Sequence, residues 1–217
     1  MKKTALTLAM GLLVSGAANA AVEANIGATS NYVWRGVTQT SDDATLQGGV
    51  DYSNEDGFSL GAWASDVKFA DGYELDIYGA YSAESASGIG YSVGFTQYLY
   101  PDATDIDFLE INGSVSVGPV TAAIAHTISA DSASYEGDNY YSLSAGTDLE
   151  EGLSISGTLG YYDYNSDADS YTHAQLDLTK SMGDYGDITA SVSKLNNDGA
   201  LGADEGTLFF VSYSKTF

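Results

Sequence analysis

From Ala21 to Phe217 the apolar residues recur at every second position, and nowhere at the three-to-four-residue spacing of an amphipathic helix. Leu153, Ile155, Leu159 and Tyr161 fall on one face, with Ser154, Ser156 and Thr158 on the other. Tyr91, Val93 and Phe95 share a side. Leu109, Ile111, Val115 and Val117 alternate with Glu110, Asn112, Ser114 and Ser116, and Phe209, Val211 and Tyr213 alternate with Ser212 and Ser214. A period of two puts successive side chains on opposite faces of a sheet, so each segment reads as a strand with one apolar face. Twelve segments follow this rule, near 25–38, 44–53, 58–66, 73–82, 89–99, 107–117, 120–129, 139–147, 153–163, 171–180, 187–195 and 206–217. Most have the roughly 9–11 residues that a tilted strand needs to cross a bilayer.

The N-terminus follows another rule. Met1-Lys2-Lys3 is basic, Ala5 to Val14 is apolar apart from Thr7, and Ala18-Asn19-Ala20 offers a small-x-small cleavage site. This is the pattern of a secretory signal peptide over 1–20, cleaved after Ala20, with the folded part over 21–217. No later stretch is long and apolar enough for a transmembrane helix. Only helices and closed barrels satisfy every backbone group in lipid. A membrane location therefore requires a barrel, and its absence would leave a soluble exported β-sandwich.

Three features favour the barrel. The polar faces carry Ser, Thr, Gly and Gln rather than the Lys and Glu of a solvated sheet. The strands are long for a sandwich. Aromatics gather at strand ends, at Tyr32, Trp34, Tyr52, Tyr98, Tyr100, Tyr140, Tyr141, Tyr161 and Tyr162, where interfacial girdles belong. The connections agree: 54–57, 83–88, 118–119, 148–152 and 181–186 are short, as periplasmic turns are, and they alternate with mostly longer, Asp-rich external loops. The last strand ends on Phe217 after Tyr213, Val211 and Phe209, the kind of terminal strand read by the barrel-insertion machinery; Lys215 near the terminus reaches the interface along its stem. The expected fold is an all-β, antiparallel transmembrane up-and-down barrel of about 12 strands, within a range of 10–14, in the outer membrane of a Gram-negative cell.

Charge bounds the partners. Five basic and thirty acidic residues after Ala20 leave a net charge of −25. Nucleic acid is excluded by such a surface, and cations are favoured. Disorder, the usual reading of so acidic a chain, is opposed by 26 aromatics and only 2 prolines. Cysteines are absent, so no disulfide staples the domain.

The segment Asn25-Ile26-Gly27-Ala28-Thr29-Ser30-Asn31-Tyr32-Val33-Trp34-Arg35-Gly36-Val37-Thr38-Gln39-Thr40 resembles the opening of the TorF-family porins. Gln47-Gly48-Gly49-Val50-Asp51-Tyr52, Gly57 to Ser65, Glu74 to Gly79 and Tyr98-Leu99-Tyr100-Pro101 extend the likeness, which is specific over roughly 25–117 and diffuse beyond. The resemblance implies an outer-membrane barrel and a pore. It implies no substrate and no catalytic motif.

Parity assigns the lumen. With Leu46, Val50 and Tyr52 outward, Gln47 and Asp51 point inward. Likewise Asp76 and Tyr78 oppose Leu75 and Ile77, Glu110 and Asn112 oppose Leu109 and Ile111, and His173, Gln175 and Asp177 oppose Leu176 and Leu178. Tyr32 and Trp34 read as girdle residues, with Tyr52, Tyr161 and Phe217, which leaves Arg35, the only arginine, inside. The expected lumen is lined by Arg35, Gln47, Asp51, Asp76, Glu110, Gln175 and Asp177, with Asp51, Asp76 or Glu110 pairing the guanidinium. Such a lining suits a narrow pore for small solutes that prefers cations. The same charges could instead pair and plug the barrel.

The alternatives are a non-conducting structural or adhesive barrel whose acidic loops bind divalent cations and lipopolysaccharide, and a barrel lipid hydrolase. Asp163-x-Asn165-x-Asp167 begins a calcium-loop pattern, but Ala168 stands where Gly is needed and Ala174 where the bidentate Glu belongs. The two histidines, His126 and His173, each lie three residues from a serine, Ser129 and Ser170, which parity places on the opposite face. No catalytic residue, metal set or cofactor motif is assigned. The expected partners are outer-membrane lipid and lipopolysaccharide, the insertion machinery, and small solutes or cations.

Overall fold

The computed structural model describes residues 20–217 except 71, 133–134, 167–169 and 197–205. Residues 1–19 of the signal segment 1–20 lie outside the described residues, as do Asp167 and Ala168 of the calcium-like pattern. The strands are β1 (Ala21–Thr29), β2 (Val33–Trp34), β3 (Val37–Thr38), β4 (Thr45–Ser53), β5 (Phe58–Val67), β6 (Gly72–Glu84), β7 (Ile89–Leu99), β8 (Phe108–Val117), β9 (Val120–Ala130), β10 (Asn139–Asp148), β11 (Leu153–Asp163), β12 (Tyr171–Ser181), β13 (Asp187–Leu195) and β14 (Thr207–Thr216). Twelve of them close into one antiparallel barrel in sequence order, with β1 joining both β4 and β14. Closure leaves no free sheet edge, which is what allows strands to stand in lipid. The sandwich alternative is thereby overturned.

The parity read from the sequence is the parity of the wall. Leu46, Val50, Leu60, Val93, Leu143, Leu159, Leu176 and Val211 are exposed on the outer surface. Between them Thr45, Ser65, Glu74, Asp76, Glu110, Ser154, Ser156, His173, Asp177, Ser191 and Ser193 are buried on the inner one. This is the inverse of a soluble protein and the pattern of a transmembrane barrel, whose apolar face meets lipid. Tyr52 and Tyr161 are exposed, and so is Phe217.

The first strand departs from expectation. It spans Ala21–Thr29 rather than 25–38. The chain leaves the wall there because Asn31 pins a loop neck. Its Oδ1 accepts from Thr38 Oγ1 (2.6 Å) and Thr40 Oγ1 (3.2 Å), and its Nδ2 donates to Asp42 Oδ1 (2.6 Å). The alternation continues past Thr29, but in the small hairpin β2–β3. Its turn is Arg35-Gly36, with φ of +50° and +87°, the two positive values of a type I′ turn.

A second departure is a register shift between β8 and β9 at Leu109/Glu110, which makes Glu110 face Thr127 while Leu109 faces Ser129. The extra residue returns Ser129 to the outward side, the side of His126. The parity argument separating that pair therefore fails at the bulge. His126 Nδ1 is instead engaged by Asn139 Oδ1 at 3.0 Å.

The side chains that pack most densely sit inside one end of the barrel, the end with the longer loops. One cluster holds Tyr32, Val67, Ala70, Tyr98 and Tyr100, with Trp63 and Phe108 against it. Another holds Val37, Tyr162, Tyr171 and Leu195, with Tyr140 and Tyr164 against it. Trp34 packs against both. Toward the short-turn end the inner face carries short polar pairs such as Ser92–Ser114 (2.8 Å) and Thr179–Thr189 (2.9 Å).

Candidate functional site

The β2–β3 hairpin enters the lumen and touches the wall on opposite sides. Tyr32 Oη donates to Glu74 Oε1 of β6 at 2.7 Å, beside its ring contact with Trp63 of β5 (5.4 Å). Trp34 meets Tyr98 of β7 (6.0 Å), Phe108 of β8 (6.4 Å) and Tyr162 of β11 (6.1 Å) edge to face. At the tip Gly36 lies against β12: a Cβ built there would stand 2.6 Å from His173 Cβ. Glycine is required at this point both by φ and by space. Tyr32 and Trp34 are thus interior residues, not girdle residues. The reason is the loop neck at Asn31, which turns the aromatic run inward, where the Tyr32 phenol finds Glu74 and the Trp34 ring packs among other rings.

Arg35 at the tip forms a two-pronged ion pair with Glu110. Nη1 donates to Oε1 at 2.7 Å and Nη2 to Oε2 at 2.6 Å. The side chains are 10% and 1% exposed, so the pair is withdrawn from water, where such geometry counts most. Arg35 Cζ stands 4.2 Å from the Trp34 ring centre, 4.3 Å from Tyr140 and 5.6 Å from Tyr162. The rings have anchors of their own. Tyr98 Oη donates to Glu110 Oε2 (3.2 Å), Tyr140 Oη shares a hydrogen bond with His173 Nε2 (2.8 Å), and Tyr162 Oη donates to Asp138 Oδ2 (3.3 Å). Asp138 precedes β10 and also accepts from the Asn165 amide (2.8 Å). Burial lifts its carboxyl above the usual carboxylate range, against the pull of these two hydrogen bonds.

Of the three carboxylates expected to compete for Arg35, Glu110 takes it. Asp51 is held elsewhere, accepting from Tyr78 Oη (2.5 Å) and Asn25 Nδ2 (3.1 Å). Gly61 makes room for this contact, since a Cβ there would collide with the Tyr78 ring. Asp76 is buried, with its Oδ1 lacking a hydrogen-bond partner. Asp177 forms a third group, accepting from Ser191 Oγ (2.6 Å) and Gln175 Nε2 (2.9 Å). Gln47 lies inward beside Gly27. Sequence reasoning missed Glu74, which accepts from both Tyr32 and Tyr100 (2.7 and 2.6 Å). Its parity with Asp76 was the available signal. It also missed Tyr98, Tyr140 and Tyr162, which stand at strand ends as girdle residues do but are buried on the inner face or nearly so.

Among the described residues no cluster of three or more His, Cys, Asp or Glu could hold a metal ion. The arrangement can occupy the lumen, hold a guanidinium against a carboxylate, and present excess negative charge.

No curated protein matches the chain. The barrel is similar to the KdgM porin, with a TM-score of 0.61 at 9% identity over 90% of this chain and 98% of that one. It is similar to the KdgM porin in complex with disordered oligogalacturonate (0.60, 10% identity, 90% and 98% covered). It is also similar to an outer membrane channel of Pseudomonas putida F1 (0.57, 9% identity, 93% and 96% covered). At such identities the likeness is one of fold. The sequence profile that does match runs over residues 14–207, and the chain accordingly belongs to the family described as "Bacterial protein of unknown function (Gcw_chp)".

Proposed function

We propose that the chain is an outer-membrane pore, narrowed by the β2–β3 hairpin and preferring small cations over anions. The observation that carries this is the charge of the lumen. Asp51, Glu74, Asp76, Glu110 and Asp177 share the inner face with one cation, Arg35, while Lys180, Lys194 and Lys215 follow the outward parity of their strands. By register Glu23, Glu84, Asp148 and Asp187 add acid at the short-turn mouth. Carboxylate linings concentrate cations and repel anions in a low-dielectric channel. A polyanion such as oligogalacturonate, found with a porin of the same fold, would meet repulsion here. The TorF resemblance and the outward apolar belt support an outer-membrane location, and the basic, apolar and small-residue pattern over 1–20 supports export with cleavage after Ala20.

The hairpin favours a second reading, a barrel held closed by Arg35 and Glu110, structural or adhesive through its acidic loops. Planar-bilayer recording of the purified protein separates the two. Small steps whose reversal potential in a salt gradient follows the cation support the pore. Anion selectivity, or silence across all voltages, overturns it.

A further inference from the structure

We propose that the wall around the Arg35 guanidinium is a binding subsite for solutes bearing a guanidinium or similar planar cation, and that Arg35 is its built-in occupant. The inference rests on the pore reading and names the solute chemistry the lumen recognises.

The receptor belongs to the barrel. Glu110 comes from β8, Tyr98 from β7, Tyr140 from β10 and Tyr162 from β11, and only Trp34 travels with the hairpin. Glu110 offers two oxygens in the plane that receives Nη1 and Nη2 at 2.7 and 2.6 Å, the fork-on-fork match that a guanidinium makes and an ammonium does not. Tyr140 supplies a face 4.3 Å from Cζ, and Tyr162 a further one at 5.6 Å. Cations are drawn to such faces. The carboxylate and rings are fixed by contacts that do not involve Arg35: Tyr98 to Glu110, Tyr140 to His173 and Tyr162 to Asp138. Removal of the guanidinium therefore leaves a preformed cradle around a carboxylate that is 1% exposed with Arg35 in place. A buried, unpaired carboxylate demands a cation or a proton.

The occupant is held in a backbone that does not favour it. Arg35 sits at φ +50° in the first turn position, where Asn, Asp or Gly is ordinarily found. It is tethered through a two-residue turn to a hairpin whose neck is pinned at Asn31 and whose Tyr32 and Trp34 meet the wall. A free planar cation makes the same contacts without that backbone strain, and at concentrations that outweigh the tether it takes the place of Arg35. Its entry displaces the tip from the lumen.

Arg35→Ala protein in detergent, titrated with methylguanidinium chloride and followed by calorimetry, is the test. Methylguanidinium is expected to bind Arg35→Ala at least tenfold more tightly than methylammonium does, and adding Glu110→Gln should weaken binding at least tenfold. Wild-type barrel in a bilayer should rise in conductance on methylguanidinium addition, at concentrations where sodium has no such effect. Equal affinity for the two cations, or no binding to an Arg35→Ala barrel that retains heat-modifiable mobility, overturns the subsite. Binding to Arg35→Ala with no response of the wild type overturns the competition. Anion selectivity overturns the pore reading alone, because calorimetry reads the cradle without conduction.

Discussion

Arg35 and Glu110 concentrate the chemistry of the lumen in one contact, and each depends on the other. A guanidinium at 10% exposure has lost most of its water, and Glu110 replaces it with two charge-assisted hydrogen bonds. Removing one member of a buried pair strands the other, a loss of about 3 kcal/mol or more. Glu110→Ala should thus lower the urea-unfolding free energy of the refolded barrel by about that amount, whereas Arg35→Ala/Glu110→Ala should recover much of it. A double variant no more stable than Glu110→Ala would show that the two residues act separately. The inward position of Glu110 was legible from parity at Leu109 and Ile111, whereas Arg35 reads as inward only with Tyr32 and Trp34 as girdle residues, a premise the hairpin overturns even though the guanidinium lies in the lumen. The identity of the partner was not legible, because Asp51 and Asp76 satisfy the same parity. What separates them is three-dimensional: Asp51 is already engaged by Tyr78 and Asn25, and only Glu110 stands opposite the hairpin tip.

At the scale of elements, eleven wall strands lie within a few residues of where alternation puts them, and the twelfth is the informative exception. Tyr32 and Trp34 keep the phase of Ile26 and Ala28, so periodicity alone carries the first strand past Thr29. The signals that end it are Ser30-Asn31, a loop neck, and Arg35-Gly36, a two-residue turn whose first residue is an unusual choice. Place at a strand end sent the inner aromatics to the girdle, although alternation with Phe95, Tyr141 and Tyr161 puts Tyr98, Tyr140 and Tyr162 on the inner face. Gly36 is where the hairpin is most exposed to substitution. Alanine would have to adopt φ +87° and place its Cβ 2.6 Å from His173 Cβ. The left-handed backbone alone costs about 1–2 kcal/mol. Gly36→Ala should therefore withdraw the tip and open Arg35 to trypsin, giving a cut after residue 35 that mass mapping of intact barrel detects. Equal protection of Arg35 in the variant and the wild type would mean that the hairpin tolerates the crowding.

At the scale of the whole molecule two opposed demands are met by one alternation. Lipid requires the outer face to be apolar, and the net charge of −25 after Ala20 must go to loops, mouths and lumen. The outer demand is tested at Leu176, midway along β12 and 49% exposed, opposite Val192 and Gly157 of the neighbouring strands. Leu176→Arg should cost about 2–4 kcal/mol in a bilayer, as arginine does near the midplane of a barrel, and almost nothing if the face met water. A midpoint of unfolding unchanged in lipid vesicles would place that face outside the membrane.

The inner demand is tested by removing charge without changing shape. Asp51 and Asp177 serve because both are hydrogen-bonded to neutral side chains and neither touches Arg35. Asn at each position keeps the size and an acceptor oxygen for Tyr78 and for Ser191. Each change subtracts one negative charge from a wall whose field acts across a few ångströms, inside the roughly 8 Å over which physiological salt screens. The Asp51→Asn/Asp177→Asn barrel should keep its step size within about twofold and lose part of its cation preference, with the loss largest at low salt, where screening is weakest. A reversal potential identical to wild type at low salt would mean that the charges lining the wall do not select the permeating ion, and that selection lies at the hairpin alone.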